Sequence, residues 1–388
     1  MKRNHSDVVL PRDVNRMLKV FVALGALTLV AGIFLAPERI WPNFLLVTYY
    51  LLGVGLAGLL FVALLYVTNG AWGVALRRVP EAMTVAIPFA AIGLGILFLF
   101  RPSLYPWTQV SAEPVPAFRH TWLSLPFFDF RAAAYLLLWI AFARMIVRAS
   151  RQQDEDGDLA HTRSNVGRSA IFLVVFGVSF WLASYDWIMS IEPNWSSTIF
   201  GIYNFAGLFS SGVAAIIVLV VYLERLGPLH NVLTEDHLHD LGKLLFSFST
   251  FWMYIWFSQY MLIWYADIPE ETIHFVRRTH GYWQPLFILN MLLNWAVPFL
   301  ALLSRPAKRR AGTLVKVAVV VLVGHWLDLY LMILPTYAGP QPGFGAWELG
   351  TMLGVLGLFV LIFFRAFRQA PVVPARDPYL EESLHYEH

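Results

Sequence analysis

Ten runs of predominantly apolar residues punctuate this sequence, each close to the roughly 20 residues an α-helix needs to cross a bilayer. They cover residues 18–36, 44–67, 81–100, 131–147, 167–191, 199–222, 241–266, 284–303, 314–335 and 347–364, with charged or proline-rich breaks between them. Only helices and closed barrels can span lipid, because every backbone polar group must find its partner inside the segment or the barrel. Runs of this length predict an all-α polytopic membrane protein with ten transmembrane helices. Composition agrees: 14% of the 388 residues are charged, against about 25% in an ordinary soluble domain.

An alternating path through ten spans sorts the positive charges by side. All of the 28 Lys and Arg residues except Arg39, Arg101, Arg119, Arg131, Arg277 and Arg278 fall on one side, which the positive-inside rule makes cytoplasmic. Both termini are then cytoplasmic, giving an N-terminal segment 1–17, a membrane domain 18–366 and a C-terminal tail 367–388. No small-residue cleavage site follows the first run, so the sequence predicts that it is retained as a helix. The external connection 101–130 is rich in Pro and Trp and reads either as a docking surface or as an interfacial segment. Pro371, Pro374 and Pro378 make the tail read as an extended cytoplasmic arm.

The chain has no cysteine, which excludes disulfides, thiolate-ligated clusters and covalent haem c attachment. Of eleven histidines only His325 is deep in a span, so a bilayer-embedded haem b lacks axial ligands. No phosphate-binding loop of an ATP-driven pump occurs, and the net charge of +3 is too small and too scattered for nucleic-acid binding.

An ionisable group among apolar helices is a functional candidate by default. The ninth run holds His325 and Asp328, three residues apart and therefore on one helix face. At 1.5 Å per residue His325 lies roughly 16 Å from the start of the run, near mid-membrane, with Asp328 about one turn further out. Near the outer end of the fifth run come Tyr185, Asp186 and Glu192. The seventh run offers a polar lane, Lys243, Ser247, Ser249, Thr250, Tyr254 and Gln259, entered through His237, His239 and Asp240, and the eighth adds Asn290 and Asn294. Hydroxyls and amides position the waters that carry protons between titratable groups. A lane from His239 and Asp240 past Ser247 and Thr250 to His325, Asp328 and Asp186 is one reading of these residues. A His–Asp pair that only pins helix packing is another, and a quinone head-group site is a third.

Three stretches carry a resemblance. Ser184-Tyr185-Asp186-Trp187-Ile188-Met189-Ser190-Ile191-Glu192-Pro193-Asn194-Trp195 is the first. The second is His239-Asp240-Leu241-Gly242-Lys243-Leu244-Leu245-Phe246, continuing through the aromatic run 251–266, and the third is His325-Trp326-Leu327-Asp328. In these the sequence resembles the ActF-type membrane subunits of bacterial alternative complex III, within the broad NrfD/PsrC-like family. The resemblance implies two four-helix bundles, helices two to five and six to nine, flanked by helices one and ten, in the bacterial cytoplasmic membrane. It implies an assembly that oxidises membrane quinol and passes electrons to a cytochrome c or similar carrier. Haem c and iron–sulfur clusters would then lie in partner subunits, a multihaem cytochrome c and an iron–sulfur protein, beside a sister NrfD-like membrane subunit. This chain would hold no cofactor and act as scaffold and proton conductor through Asp186, Glu192, His239, Asp240, Lys243, His325 and Asp328. Two alternatives stay open: quinol binding by this chain through Tyr185 and Asp186, and small-solute transport, for which Pro88 and Pro298 supply helix interruptions.

Overall fold

The computed structural model describes residues 10–100, 104–109 and 117–387. Lys2, Arg3, His5, Arg101, Pro102, Pro114 and Pro116 lie outside the described residues.

The described chain is helical, with no β-strand. In order come α1 (Arg12–Leu35), α2 (Pro37–Val67), α3 (Arg78–Met83), α4 (Ala86–Leu99), α5 (Ala117–Trp122), α6 (Leu125–Asp156), α7 (Ala160–Trp187) and α8 (Phe200–Arg225). The second half holds α9 (Glu235–Ala266), α10 (Pro269–Thr279), α11 (Gln284–Met291), α12 (Val297–Ala301), α13 (Arg305–Arg309), α14 (Ala311–Ile333), α15 (Ala346–Phe367) and α16 (Leu380–Leu384). Among the described residues nine helical stretches are long and apolar enough to cross a membrane. Those nine overlap every expected run except 241–266. That run lies in α9, whose 32 residues are long enough, but whose Trp, Tyr, Ser and Gln make it less apolar than the others.

The helices pack in two rings. In the first, α2 packs on α4 and α7, and α6 closes the circle against the same two. In the second, α8 packs on α9 and α14, and the α11–α12 stretch closes it against α9 and α14. The rings meet where α2 and α7 pack on α8, so α2 and α8 are buried along almost their whole length. The α1 helix lies outside both rings against α15, at a crossing where Gly25 and Gly354 meet backbone to backbone. One π turn, Leu292–Ala296, joins α11 to α12. Pro298 has no N–H to offer the carbonyl of Asn294, and a π turn is one way a helix absorbs that loss.

Two charged regions differ from the sequence-based expectation. Arg77 and Arg78, expected as inside-facing loop charges, are only 3% and 2% exposed. Arg78 pairs with Glu81 and Asp154, and Arg77 with Glu81 at 3.2 Å and Asp377 at 2.7 Å. The tail, expected as an extended arm, instead folds back over this end of the molecule. Asp377 completes the arginine network, Ser383 accepts a 2.9 Å bond from the Ala75 amide, and Tyr386 donates to Asp240 at 2.7 Å. A proline-rich segment can pack as well as extend, and these buried arginines need the carboxylate it carries.

Candidate proton site around Asp328

Asp328 is fully buried on α14, and its partners come from each of the other three helices of its ring. Tyr203 of α8 donates its hydroxyl to Oδ1, Asn290 of α11 donates to Oδ1 at 2.9 Å, and Trp252 of α9 donates to Oδ2 at 3.0 Å. All three donors are neutral. His325 sits one turn away with Nδ1 3.9 Å from Oδ2, too far for a direct hydrogen bond. Its ring lies beside Tyr50, with centroids 5.3 Å apart, and fits only because residue 207 is glycine: a Cβ there would stand 2.8 Å from His325 Cε1. Nδ1 of His325 is buried without a hydrogen-bond partner.

A cavity of about 20 Å³ adjoins Asp328, enough for one water. Its walls include Tyr203, Gln259, Asn290 and Asp328 together with His274 and Arg278. Gln259 Nε2, buried and without a protein partner, belongs to this wall. Beyond it lies a second carboxylate. Glu192 accepts from Arg278 at 2.8 Å, Thr336 at 2.9 Å and the His274 ring at 3.2 Å. Burial opposes its charge, but Arg278 and His274 outweigh burial and hold the Glu192 carboxyl well below the usual carboxylate range. His274, stacked on Trp195 at 3.8 Å, is pushed down to about 4 by burial and by the adjacent Arg278. Arg278 is fixed by the backbone: Pro335 cannot donate to the carbonyl of Leu331, and Arg278 Nε fills that place at 2.7 Å.

Asp186 does not join this group. It lies in the first ring, where Arg131 binds it in bidentate fashion at 2.9 and 2.8 Å, Trp122 donates at 2.8 Å and Tyr135 at 3.2 Å. Four donors occupy the four lone-pair positions of the carboxylate, and Arg131 neutralises it. The hydroxyl of Tyr185 donates to the Thr198 carbonyl at 2.7 Å and accepts from Trp181. The structure therefore does not bring Asp186 to Asp328, and it is Glu192, through His274 and Arg278, that adjoins the cavity beside Asp328.

The lane on α9 is corrected as well. Ser247 is exposed, and Thr250 donates back to the Phe246 carbonyl at 2.9 Å. Lys243, Ser247, Thr250 and Tyr254 recur at helical spacing on the outer face, whereas Leu245, Ser249, Trp252, Ile255, Gln259 and Ile263 are buried. Ser249, 3.4 Å from Ser210 of α8, is the hydroxyl of that helix that faces the core of the ring. At the N-terminal end of α9 Asp240 pairs with Lys243 and Tyr386, His239 is buried, and His237 closes the helix as a cap with Thr234.

Tyr203, Trp252, His274, Arg278 and Arg131 are the site residues that sequence reasoning missed. His274 and Arg278 stand four apart in a short helix, a spacing that places both on one face. Tyr203 and Trp252 carry no charge and resemble the aromatic residues around them. Among the described residues no group of three or more His, Asp or Glu side chains could hold a metal ion.

Fold and site together define a polytopic helical membrane protein with a carboxylate buried at the centre of a four-helix ring. Comparison with known protein-family models and with curated proteins finds no match.

Proposed function

We propose that the chain is a ten-span subunit, with cytoplasmic termini, of a quinol-oxidising complex in the bacterial cytoplasmic membrane, serving it as scaffold and proton conductor without a redox centre of its own. The observation that carries proton handling is Asp328: a buried carboxylate with three neutral donors and a water-sized cavity leading to a charged cluster. Without a permanent counter-ion, its two protonation states lie closer in energy than they would beside an arginine. A water in the cavity would pass the proton between Asp328 and the His274–Glu192 pair. Membership of a quinol-oxidising assembly rests on the three resembling stretches, which imply a sister NrfD-like subunit and partners carrying haem c and iron–sulfur clusters.

Transport has less support. The helix interruptions fall after α3, in the second helix of one ring, and between α11 and α12, in the third of the other, so they do not correspond as paired repeats would. Quinol binding at Tyr185 and Asp186 would have to displace the donors that already fill Asp186.

The test is the Asp328→Asn substitution in the complex isolated from membranes. Asparagine keeps the volume and loses the exchangeable charge. Proton release per quinol oxidised is expected to fall with assembly intact, while Ser247→Ala, on the outer face, leaves it unchanged. Wild-type proton release from Asp328→Asn would end the relay reading. Absence of haem and iron–sulfur partners in the isolate would end the complex.

A further inference from the structure

A cleft of about 570 Å³ opens between α4, α6 and α15 at the end of the molecule that carries the buried arginine network. That is the size of a small-ligand site. Its walls are divided by chemistry. Val85, Pro88, Ile140, Ala143 and Val147 make an apolar part, and Arg144, Arg148, Arg151 and Gln152 a polar part that extends toward the C-terminal end of α6. Helical spacing of Arg144, Arg148 and Arg151 sets the three guanidinium groups along one stripe of α6.

Arg151 is half-buried, and its planar group has five N–H donors to satisfy. It makes two long bonds, 3.4 Å to Gln369 Oε1 and 3.5 Å to the Ala366 carbonyl, and its Nε is buried without a partner. Neither neighbouring carboxylate hydrogen-bonds Arg151: Glu81 accepts from Arg77, Arg78 and Ser150, and Asp154 from Arg78 through Oδ2, its Oδ1 being buried without a partner. Arg77, Arg78 and Arg151 together balance Glu81, Asp154 and Asp377. The excess positive charge at the cleft therefore comes from Arg144 and Arg148, both exposed, against one exposed carboxylate, Glu155.

A cationic part with unfilled donors, continued by an apolar wall along membrane-spanning helices, matches a molecule with an anionic head and hydrocarbon tails. We infer that this cleft binds an anionic phospholipid, its phosphate on Arg151 and Arg148 and its acyl chains along α4 and α6. Arginine binds phosphate through parallel N–H···O bonds, and basic pockets between spans at a membrane face hold such head groups. Arg78 pairs with Glu81 and Asp154 beside the cleft and does not line it, so it adds field there without reaching the head group.

The experiment is thermal unfolding of the delipidated full-length protein in detergent, titrated separately with phosphatidylglycerol, phosphatidylcholine and inorganic phosphate. Phosphatidylglycerol is expected to raise Tm saturably and the other two to leave it flat. Arg151→Gln should shift half-saturation upward by about tenfold, the loss of one charge-assisted bond. Arg148→Gln, changing an exposed side chain, gives the same direction if the first variant folds poorly. Arg309→Gln removes an equal charge outside the cleft and should leave the titration unchanged. Equal stabilisation by phosphatidylcholine, the full effect from inorganic phosphate alone, wild-type titration by both cleft variants, or an equal shift from Arg309→Gln would each overturn the assignment.

Discussion

Arg131 holds Asp186 through two parallel N–H···O bonds, whereas among the described residues no Lys or Arg pairs with Asp328. Truncating one member of a buried ion pair strands the other charge. Arg131→Gln is therefore expected to destabilise the protein by about 3–5 kcal/mol, measured as a large fall in Tm in detergent. His274 predicts a pH dependence. Its imidazole takes a proton near 6.5 when unfolded and near 4 when folded, so between those values the unfolded state binds more protons and stability rises with pH. The contribution is fully present above about 6.5 and is lost as pH falls toward 4, up to on the order of 3 kcal/mol. A pH series of Tm should show that loss, flattened in His274→Gln. Asp328 and His325 were legible as candidates because ionisable residues stand out among apolar ones. Their neutral partners were not, since one Trp or Tyr among many gives no sign of which carboxylate it will reach.

In α9 the sequence shows polar residues on two faces, and only packing decides which is inside. The stripe Lys243–Ser247–Thr250–Tyr254 has the helical period of a lane, but the other stripe carries the large apolar residues Leu245, Trp252, Ile255 and Ile263 that the ring needs. Ser249 and Gln259 are carried inward with them. Helix existence and length were legible for the same reason that α9 was ambiguous: hydropathy reports burial in lipid or protein without distinguishing them. Glycines divide similarly. A Cβ at Gly25 would run into the backbone of Gly354, so Gly25→Ala is expected to cost about 1–3 kcal/mol by overpacking. At Gly95 a Cβ meets nothing within 4 Å, and Gly95→Ala should be neutral or stabilise by up to about 1 kcal/mol. Paired melts of the two variants check both.

Over the whole molecule, charges counted along the chain as loop residues turn out to hold its ends together. Arg77, Arg78, Arg131 and Arg278 are all buried in ion pairs, the first two at the end of the molecule that carries the tail and the other two at the opposite end. Glu81 stands at helical spacing from Arg77 and Arg78, but the other carboxylates lie far away in sequence, up to Asp377 for Arg77, and one sequence gives no means of pairing those. Asp377→Asn should lower stability by about 1–3 kcal/mol, read as a drop in Tm, because the network is then left with one uncompensated positive charge.

The contact of α1 with α15 also orders events during synthesis. Gly25 meets Gly354, more than three hundred residues later in translation, and Arg77 receives Asp377 later still. While the intervening spans are being inserted, the first helix has α2 beside it but not yet α15, its main packing partner. Closure of the molecule thus waits for α15 and the tail, and a chain that stops after the second ring leaves its first helix without α15 and Arg77 without Asp377.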